Sequence, residues 1–343
     1  MKLVVTFLPG LASFVRSELG ELGDVTRVRE ADGRSEISFT YGGSPRRLFG
    51  LRTVLAAYLV LCFPVPRPRS LLSSEYLPAI ADAVARVRSL NRSLPPRGIR
   101  IGAAGADSAV FARIARELES LTGLPRDQDE GNCHLRFRPS RARGGWEVLV
   151  RLSTRPLSLR EWRTAPYPGG LNATIAAAMV RWTRPDPRDR FLNLMCGSGT
   201  LLVERLLVAP VRRAVGVDHS DEAIAASVEN LRSAGLAGRA ELISSDIRVG
   251  ESLDGVGTFD LLVADPPWGD KHGSHRENRE LYNALLRRSA ERATERATMI
   301  VATQELRLMD ALVSASPDWR GDERIQVFAK GHRPCLYLLR RTP

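Results

Sequence analysis

The sequence has few cysteines, few aromatic residues and no long apolar run, and these shortages exclude several classes of protein. The four cysteines, Cys62, Cys133, Cys196 and Cys335, include no C-x-x-C pair. This spacing argues against both a zinc site and a disulfide framework. The apolar start of the chain stops at Pro9, and no apolar stretch reaches membrane-spanning length. We therefore expect a soluble, cytoplasmic protein without a metal ion.

Lysine is also scarce, so arginine carries almost all of the positive charge. Only three of the 50 basic residues are lysines. Residues 1–165 contain 26 basic and 16 acidic residues, whereas residues 166–343 contain 24 and 23. Arginine grips phosphate with two parallel hydrogen bonds, so the first half is predicted to bind nucleic acid and the second to hold a reaction centre. A basic surface kept for solubility would produce the same balance.

Turn signals divide the chain into three predicted domains and a linker. Residues 1–63 mix strand and helix patterns and predict a small α+β domain, and residues 70–162 contain a second such mixture. Residues 163–170 are rich in proline and glycine, which predicts a linker or a loop near a ligand. Strands alternate with helices in residues 171–343, which predicts a parallel sheet with helices on both faces. The last two strands of this series are expected at residues 324–328 and 335–339.

A glycine turn lies at the start of this alternating region. The apolar run Phe191–Met195 is followed by Cys196-Gly197-Ser198-Gly199-Thr200 and then by a helical pattern. Glycine lets bare backbone approach a ligand, and the first N–H groups of a helix are unpaired. A dinucleotide fingerprint would need a third glycine where Leu202 stands, so a nucleoside cofactor without a diphosphate is favoured. Taken alone, the turn is equally consistent with a tight strand-to-helix connection.

Two acidic residues end the next two predicted strands. Asp218 lies nineteen residues after Gly199, a separation at which a carboxylate can accept both ribose hydroxyls of a nucleoside. Asp246 is placed to accept a hydrogen bond from an adenine amino group while Ile247 packs on the ring. Each aspartate alone could be a helix cap or a turn residue. Their positions after successive strands favour the cofactor interpretation.

The fourth strand of the region ends in Asp265-Pro266-Pro267-Trp268-Gly269. Two prolines fix the backbone and remove two N–H donors, which leaves carbonyl oxygens free to accept from a substrate amine. Asp265 and the Pro266 carbonyl are predicted to accept the hydrogens of an exocyclic amine while Trp268 stacks on the base. The alternative is a rigid loop capped by a tryptophan.

These motifs together resemble those of Rossmann-type S-adenosylmethionine-dependent methyltransferases that modify exocyclic amines. The resemblance rests on residues 193–200, 216–218, 245–247 and 265–269. Residues 153–163, followed by 169–173, resemble the junction between a THUMP domain and its methyltransferase domain. The likeness covers nearly the whole chain. The sequence is similar to the bacterial and archaeal tRNA guanine-N2 methyltransferases that act on guanosine 6 of the acceptor stem.

The resemblance implies an α/β fold with a C-terminal Rossmann-like methyltransferase domain at residues 171–343, built on a mostly parallel seven-stranded sheet. It implies a ferredoxin-like α+β domain at residues 1–63, a THUMP RNA-binding domain at 70–162 and a linker at 163–170. The implied substrate is the N2 amine of a tRNA guanosine, which must be flipped out of its stem. We expect a monomer that binds tRNA but no membrane and no metal ion.

The predicted site residues fall into three groups. The predicted catalytic residues are Asp265, Pro266, Pro267 and Trp268. The predicted cofactor-binding residues are Asn193, Cys196, Gly197, Ser198, Gly199, Thr200, Asp218, His219, Asp246, Ile247 and Asp265. The predicted RNA-binding residues are Arg141, Arg143, Arg163, Arg276 and Arg279. Arg141 and Arg143 fit a solvated hairpin tip equally well, and Arg276 and Arg279 fit the exposed start of a helix.

Two features qualify this assignment. Asn193 stands where the family usually has aspartate, so an acceptor is kept but its charge is lost. His272 and His275 are spaced like metal ligands, but no further cysteine or histidine lies near them, so a mobile polar loop is predicted instead.

Three other functions remain open at this point. The same chemistry could act on another tRNA position or on ribosomal RNA. The chain could instead be a non-catalytic RNA-binding protein that retains a vestigial methyltransferase fold. Methylation of DNA amines is disfavoured by the basic, THUMP-like first half.

Overall fold

The computed structural model forms two compact units. The first unit contains residues 1–7 and 15–159, and the second contains residues 8–14 and 160–343. The structure describes residues 1–140, 144–249, 253–268, 275–329 and 331–342, without the side chains of residues 275–277. Within these residues, no helix is long and apolar enough to cross a membrane.

The first unit is an α+β structure built on one seven-stranded sheet. Its strands are β1 (Lys2–Thr6), β2 (Val25–Glu30), β3 (Glu36–Tyr41), β4 (Ala56–Phe63), β5 (Ile99–Gly102), β6 (Cys133–Pro139) and β7 (Trp146–Arg151). Its helices are α1 (Ala12–Glu21), which begins in the second unit, α2 (Tyr76–Leu90) and α3 (Ala109–Thr122), together with short 3-10 helices at Pro45–Gly50 and Pro68–Leu72.

The strand order of this sheet is β2-β3-β1-β4-β7-β6-β5, and only the β5–β6 pair among the described strands is parallel. β4 joins the two halves, because it pairs with β1 on one side and with β7 on the other. The predicted boundary near residues 63–70 therefore lies within one continuous sheet, and a division into two domains there stays a prediction.

The second unit is built on a mixed seven-stranded sheet with helices. Its strands are β8 (Arg190–Leu194), β9 (Arg213–Asp218), β10 (Glu241–Ser244), β11 (Phe259–Ala264), β12 (Ala293–Thr303), β13 (Trp319–Gln326) and β14 (Cys335–Arg341). Its helices are α4 (Ala173–Trp182), α5 (Thr200–Val208), α6 (Asp221–Ser233), α7 (His275–Glu291) and α8 (Leu306–Ala315).

The order of this second sheet determines where a ligand can bind. The order is β10-β9-β8-β11-β12-β14-β13; the pairings from β10 to β12 are parallel, and those of β14 with β12 and β13 are antiparallel. The chain enters the sheet at β8, passes outward to β10 and then returns to β11 on the other side of β8. Ligands bind beyond the carboxyl ends of strands at such a reversal of order.

The segment that precedes α1 belongs to the second unit. Residues 8–14 follow β1 in the chain, yet the backbone N–H of Phe328 donates to the carbonyl of Pro9 at 3.1 Å. The ring of Phe14 packs edge-on against Trp182, with their centroids 5.9 Å apart. The second unit is therefore assembled from two separate stretches of the chain.

A buried arginine holds the end of β7 in the first unit. Arg151 is 2% exposed, and its guanidinium donates to the carbonyls of Glu130 at 2.6 Å and Asn132 at 2.9 Å. It also donates to the carbonyls of Ser153 and Thr154 just beyond the strand. One side chain thus satisfies four backbone acceptors where the sheet ends.

Replacing this arginine is expected to loosen the sheet. Arg151→Met should lower the free energy of unfolding by about 3 kcal/mol, because it leaves buried carbonyls without donors. Hydrogen exchange of the β6 and β7 amides measures the effect locally. The control is Arg155→Met, at an exposed position nearby. Equal protection of these amides in the two variants would contradict the role given to Arg151.

Candidate active site

The glycine turn after β8 has an unusual backbone. Met195, Gly197 and Gly199 all adopt positive φ angles, of 52°, 54° and 75°. Gly199 is the N-cap of α5, and its N–H donates to the Cys196 carbonyl at 2.9 Å. Positive φ is strained for a residue with a side chain, so Met195 marks a position held by its surroundings. No pattern in the sequence predicted this backbone conformation of Met195.

Asp218, at the end of β9, supports this turn. It is 7% exposed; one carboxylate oxygen accepts from the Gly197 N–H at 2.8 Å and the other from the Ser220 N–H at 3.1 Å. The carboxylate therefore acts on the backbone of the turn and of the segment that begins α6. Its predicted contact with a ribose stays a prediction.

Helix α6 holds the turn from the other side. The Ser227 hydroxyl donates to the Gly197 carbonyl at 2.7 Å, and the side-chain amide of Asn230 donates to the Ser198 carbonyl at 2.9 Å. Both side chains are fully buried. Neither residue was predicted from the sequence, because a position within a helical pattern does not indicate a hydrogen bond to the glycine turn.

Asn230 also ties the predicted linker to the turn. Its amide donates to the Ala165 carbonyl at 3.1 Å and accepts from the Ala165 N–H at 3.0 Å. A Cβ placed on Gly197 would lie 3.8 Å from the Tyr167 ring. Ala165 and Tyr167 of the predicted linker thus lie next to the turn, and the expected nearness of this loop to a ligand stays a prediction.

Several buried polar atoms at this site have no hydrogen-bond partner in the described part of the chain. They are Asn193 Oδ1, Ser198 Oγ, Thr200 Oγ1 and Asp265 Oδ1. Burying such an atom without a partner costs about 1–3 kcal/mol, so a group of them at one edge of a sheet indicates a polar ligand. Asn193 Oδ1 is an acceptor, the carboxyl of Asp265 accepts when ionised and can also donate when protonated, and the two hydroxyls can do both. This set fits a cofactor with both donors and acceptors.

Asn193 is fully buried and its amide has a second role. The Nδ2 group donates to the carbonyls of Leu194 at 3.2 Å and Val263 at 3.4 Å. It therefore links the ends of β8 and β11. A carboxylate could not donate these bonds, so asparagine suits this position even though it lacks the charge usual in the family.

The other predicted cofactor residues have different surroundings. Asp246 accepts from Arg248, with 2.6 Å between Oδ2 and Nη2, and this hydrogen bond lowers the pKa of the aspartate. Ile247 lies in the hydrophobic core of the unit. His219 is exposed beside Asp218. Burial and the nearby charge of Asp218 raise the pKa of Cys196 to about 12, so its thiol stays protonated at neutral pH.

Asp265 follows β11 and has the most strongly shifted carboxyl of the site. Burial raises its pKa to about 8, against the opposing effects of the Trp268 side chain and the positive charge of Arg163. A carboxyl group with such a pKa can exchange a proton near neutral pH.

The Pro-Pro-Trp segment is held by β12 and α7. The indole N–H of Trp268 donates to the Ala302 carbonyl at 3.2 Å, and the Tyr282 hydroxyl donates to the Pro267 carbonyl at 3.2 Å. Tyr282 is itself fully buried and bonds to the Thr303 hydroxyl at 2.6 Å. Neither Tyr282 nor Thr303 was predicted from the sequence, because neither belongs to a motif.

A histidine from the segment between β13 and β14 lies against Trp268. The His332 ring is tilted by 59° to the Trp268 ring, with 5.9 Å between centroids. The Gln304 amide bonds to His332 Nδ1 at 3.1 Å and accepts from the Arg333 N–H at 3.2 Å. The predicted base-stacking residue is therefore part of an ordered polar and aromatic cluster.

The predicted RNA-binding arginines differ in their burial, and some of them lie outside the described residues. Arg163 is partly buried, donates to the Leu171 carbonyl at 3.0 Å and acts electrostatically on Asp265. Arg279 is exposed on α7. Arg141, Arg143, Gly269, His272 and the side chains of His275 and Arg276 lie outside the described residues. Among the residues that are described, no group of histidine, cysteine and carboxylate side chains could hold a metal ion.

Comparison with known families places this site in a defined class. The model of the RMKL-like methyltransferase domain family matches residues 160–334. The matched segment is just over half of the chain and contains the whole glycine turn and the Asp-Pro-Pro-Trp segment. The chain belongs to this family.

Individual proteins are similar over different lengths. The bovine protein named tRNA (guanine(6)-N(2))-methyltransferase THUMP3 is 27% identical over 212 residues, and the match spans 57% of this chain but 41% of the bovine protein. The Methanocaldococcus jannaschii protein named tRNA (guanine(6)-N2)-methyltransferase is 24% identical over 365 residues, spanning 89% of this chain and 91% of that protein.

A solved structure agrees with the fold over the full length. TrmN from Thermus thermophilus aligns with a TM-score of 0.75 at 21% identity, covering 99% of each chain. The agreement establishes the fold and confirms the predicted Rossmann-like α/β methyltransferase architecture.

The tight packing of the glycine turn leads to a prediction with a matched control. A Cβ on Gly199 would lie 2.9 Å from Ser227 Oγ, whereas one on Gly235 would meet nothing within 4 Å, although the φ angles are 75° and 73°. Both alanine variants lose about 1 kcal/mol from backbone strain. Gly199→Ala should also displace Ser227 and show the lower melting temperature in thermal denaturation. Equal melting temperatures would show that Ser227 does not constrain the turn.

Proposed function

We propose that this protein transfers a methyl group from S-adenosylmethionine to the exocyclic N2 amine of a guanosine in tRNA, at position 6 of the acceptor stem. One observation carries the proposal. One buried oxygen of Asp265 and several atoms of the glycine turn have no hydrogen-bond partner among the described residues, and they lie at the carboxyl ends of the adjacent strands β11 and β8. An acceptor for an amine thus lies at the same sheet edge as a polar cofactor site.

The relatives support the choice of substrate. Both the bovine and the Methanocaldococcus jannaschii proteins are named as methyltransferases of tRNA guanine 6, and the second match spans most of both chains. The excess of arginine in residues 1–165 favours an RNA substrate. We assign residues 1–63 to a ferredoxin-like domain and residues 70–162 to a THUMP domain as part of this proposal.

The cofactor is inferred from the fit of the residues present. Asn193 Oδ1, Ser198 Oγ and Thr200 Oγ1 would hold its polar groups, and Asp218 would reach its ribose in addition to supporting the turn. S-adenosylmethionine supplies an electrophilic methyl group when bound. The chain's own contribution is to orient the acceptor and exclude water.

The amine needs activation because its lone pair is delocalised into the guanine ring. Asp265 and the Pro266 carbonyl would accept its two hydrogens and draw the nitrogen toward tetrahedral geometry. As the new N–C bond forms, N2 must lose one proton, and Asp265 can accept it because burial has raised its pKa to about 8. Trp268, held in place by Ala302, would stack on the flipped base.

Removing the carboxylate tests this mechanism. Asp265→Asn should reduce single-turnover methyl transfer by about 100-fold or more. In the wild type the rate should rise with pH and level off above about 8, because Asp265 is mainly protonated below its pKa and cannot take a second proton. The rate of the Asp265→Asn variant should not rise with pH in this way.

Two controls accompany that measurement. Asp322→Asn removes an exposed carboxylate that pairs with Arg340, and it should leave the rate and its pH dependence unchanged. Calorimetry with S-adenosylhomocysteine separates a lost catalytic contact from a lost cofactor site. A near wild-type rate in Asp265→Asn would rule out the role given to Asp265.

The substrate is tested by incubating total tRNA with labelled S-adenosylmethionine and mapping the label by nuclease digestion. Label as N2-methylguanosine at position 6 of the acceptor stem is the expected result. Label at another tRNA position, or only in ribosomal RNA, would contradict the assigned position or substrate. Absence of both label and cofactor binding would support a non-catalytic RNA-binding protein.

A further inference from the structure

The positive charge of the first unit is concentrated in one stretch of the chain. Residues 37–106 contain ten arginines and two acidic residues, Glu75 and Asp82. This stretch therefore supplies a net charge of +8, out of +10 for residues 1–165. None of the RNA-binding residues expected from the sequence motifs lies in it.

Four of these arginines lie in the last turns of α2 or in the loop that follows it, and we call them the arginine cluster. They are Arg86, Arg88, Arg92 and Arg97. All four are exposed, and none takes part in an ion pair within the described residues. The chain carries no acidic residue between Asp82 and Asp107. By contrast, Arg138 of the same unit pairs with Glu36 at 2.6 Å.

The backbone under the arginine cluster is fixed. The Asn91 amide donates to the carbonyls of Val87 at 2.7 Å and Leu152 at 2.8 Å. The Thr154 hydroxyl donates to the Leu94 carbonyl at 2.7 Å. The loop after α2 is thus tied to the end of β7, and its arginines project from an ordered support.

The helix dipole of α2 explains the position of only one arginine of the arginine cluster. A positive side chain in the last turn of a helix is favourable, which explains Arg88. Arg92 and Arg97 lie beyond the helix, where the effect has faded. Leu94 lies between them in the sequence, and 45% of its surface is exposed. A solvated basic face has no need of that apolar side chain.

Acidic residues near this loop are already engaged. The Asp127 carboxylate accepts from the Asp129 N–H at 3.1 Å, and the Asp129 carboxylate accepts from the Gly131 N–H. Glu130 lies 3.8 Å from Arg100. These carboxylates serve their own turn and the neighbouring strand, which leaves the charge of the arginine cluster uncompensated.

We propose that the arginine cluster binds the phosphate backbone of the RNA substrate. Arginine holds phosphate oxygens with paired hydrogen bonds, and such contacts give affinity and position without reading sequence. Leu94 packs against a ribose or base between the phosphates. That the ligand is tRNA rests on the proposed function, while the affinity for a polyribonucleotide backbone does not.

The test compares two variants of equal charge. The first changes Arg86, Arg88, Arg92 and Arg97 to glutamine, and the second changes the exposed arginines Arg239, Arg287, Arg296 and Arg320 of the other unit to glutamine. Binding of a fluorescent tRNA transcript is measured by anisotropy at several KCl concentrations. Thermal melting and calorimetry with S-adenosylhomocysteine check that both variants are folded.

The cluster variant should bind tRNA on the order of tenfold or more weakly. Its slope of log Kd against log salt should fall by about 3, which corresponds to about 0.7–0.9 for each of the four lost phosphate contacts. The control variant should keep the wild-type slope. An unchanged slope in the cluster variant, or an equal fall in both variants, would overturn the proposal. The proposal would also be overturned if the wild-type protein bound phosphatidylserine vesicles but did not bind tRNA.

The proposed function and the proposed RNA-binding surface can be contradicted independently of each other. A protein that binds tRNA through the cluster but transfers no methyl group to any RNA would contradict the proposed function alone. A protein that methylates tRNA but shows the wild-type salt slope in the cluster variant would contradict the proposed surface alone.

Discussion

The candidate site depends on how the backbone of the glycine turn is satisfied. A turn with three positive φ angles in five residues exposes N–H and carbonyl groups that no regular strand or helix can pair. Asp218 accepts the N–H of Gly197, and Ser227 and Asn230 donate to the carbonyls of Gly197 and Ser198. Because these partners come from β9 and α6, the shape of the turn is set by the packing of the unit around it. The open backbone that a ligand would approach exists only while those contacts hold.

The parts of this site that have a local cause could be predicted from the sequence. The glycine turn, the aspartates after successive strands and the Asp-Pro-Pro-Trp segment were all recognisable, because glycine, proline and chain order leave a pattern in the sequence. Ser227, Asn230, Tyr282 and His332 were missed because each acts through a distant partner. The first half of β13 was missed for a related reason. It is an exposed, charged edge strand, so it lacks the apolar alternation that marks a buried one.

Arginine has two distinct uses in this chain, and burial separates them. Arg151 and Arg205 are buried and satisfy backbone carbonyls or a carboxylate, which makes them part of the framework. The four arginines of the arginine cluster are exposed and have no such partner in the part of the chain that the structure describes. A count of basic residues in the sequence includes both the buried arginines and the exposed ones. Only the structure distinguishes a cation that holds the protein together from one that is available to a phosphate.

The placement of residues 8–14 affects how the chain can be divided. These residues are made early in synthesis, yet they pack with a unit whose remaining residues begin at position 160. The hydrogen bond from the Phe328 N–H to the Pro9 carbonyl can therefore form only after Phe328 has been synthesised. A gene fusion or an evolutionary exchange cut between residues 159 and 160 would separate the second unit from one of its own segments. The two units are thus not modular in sequence, although each is compact in space.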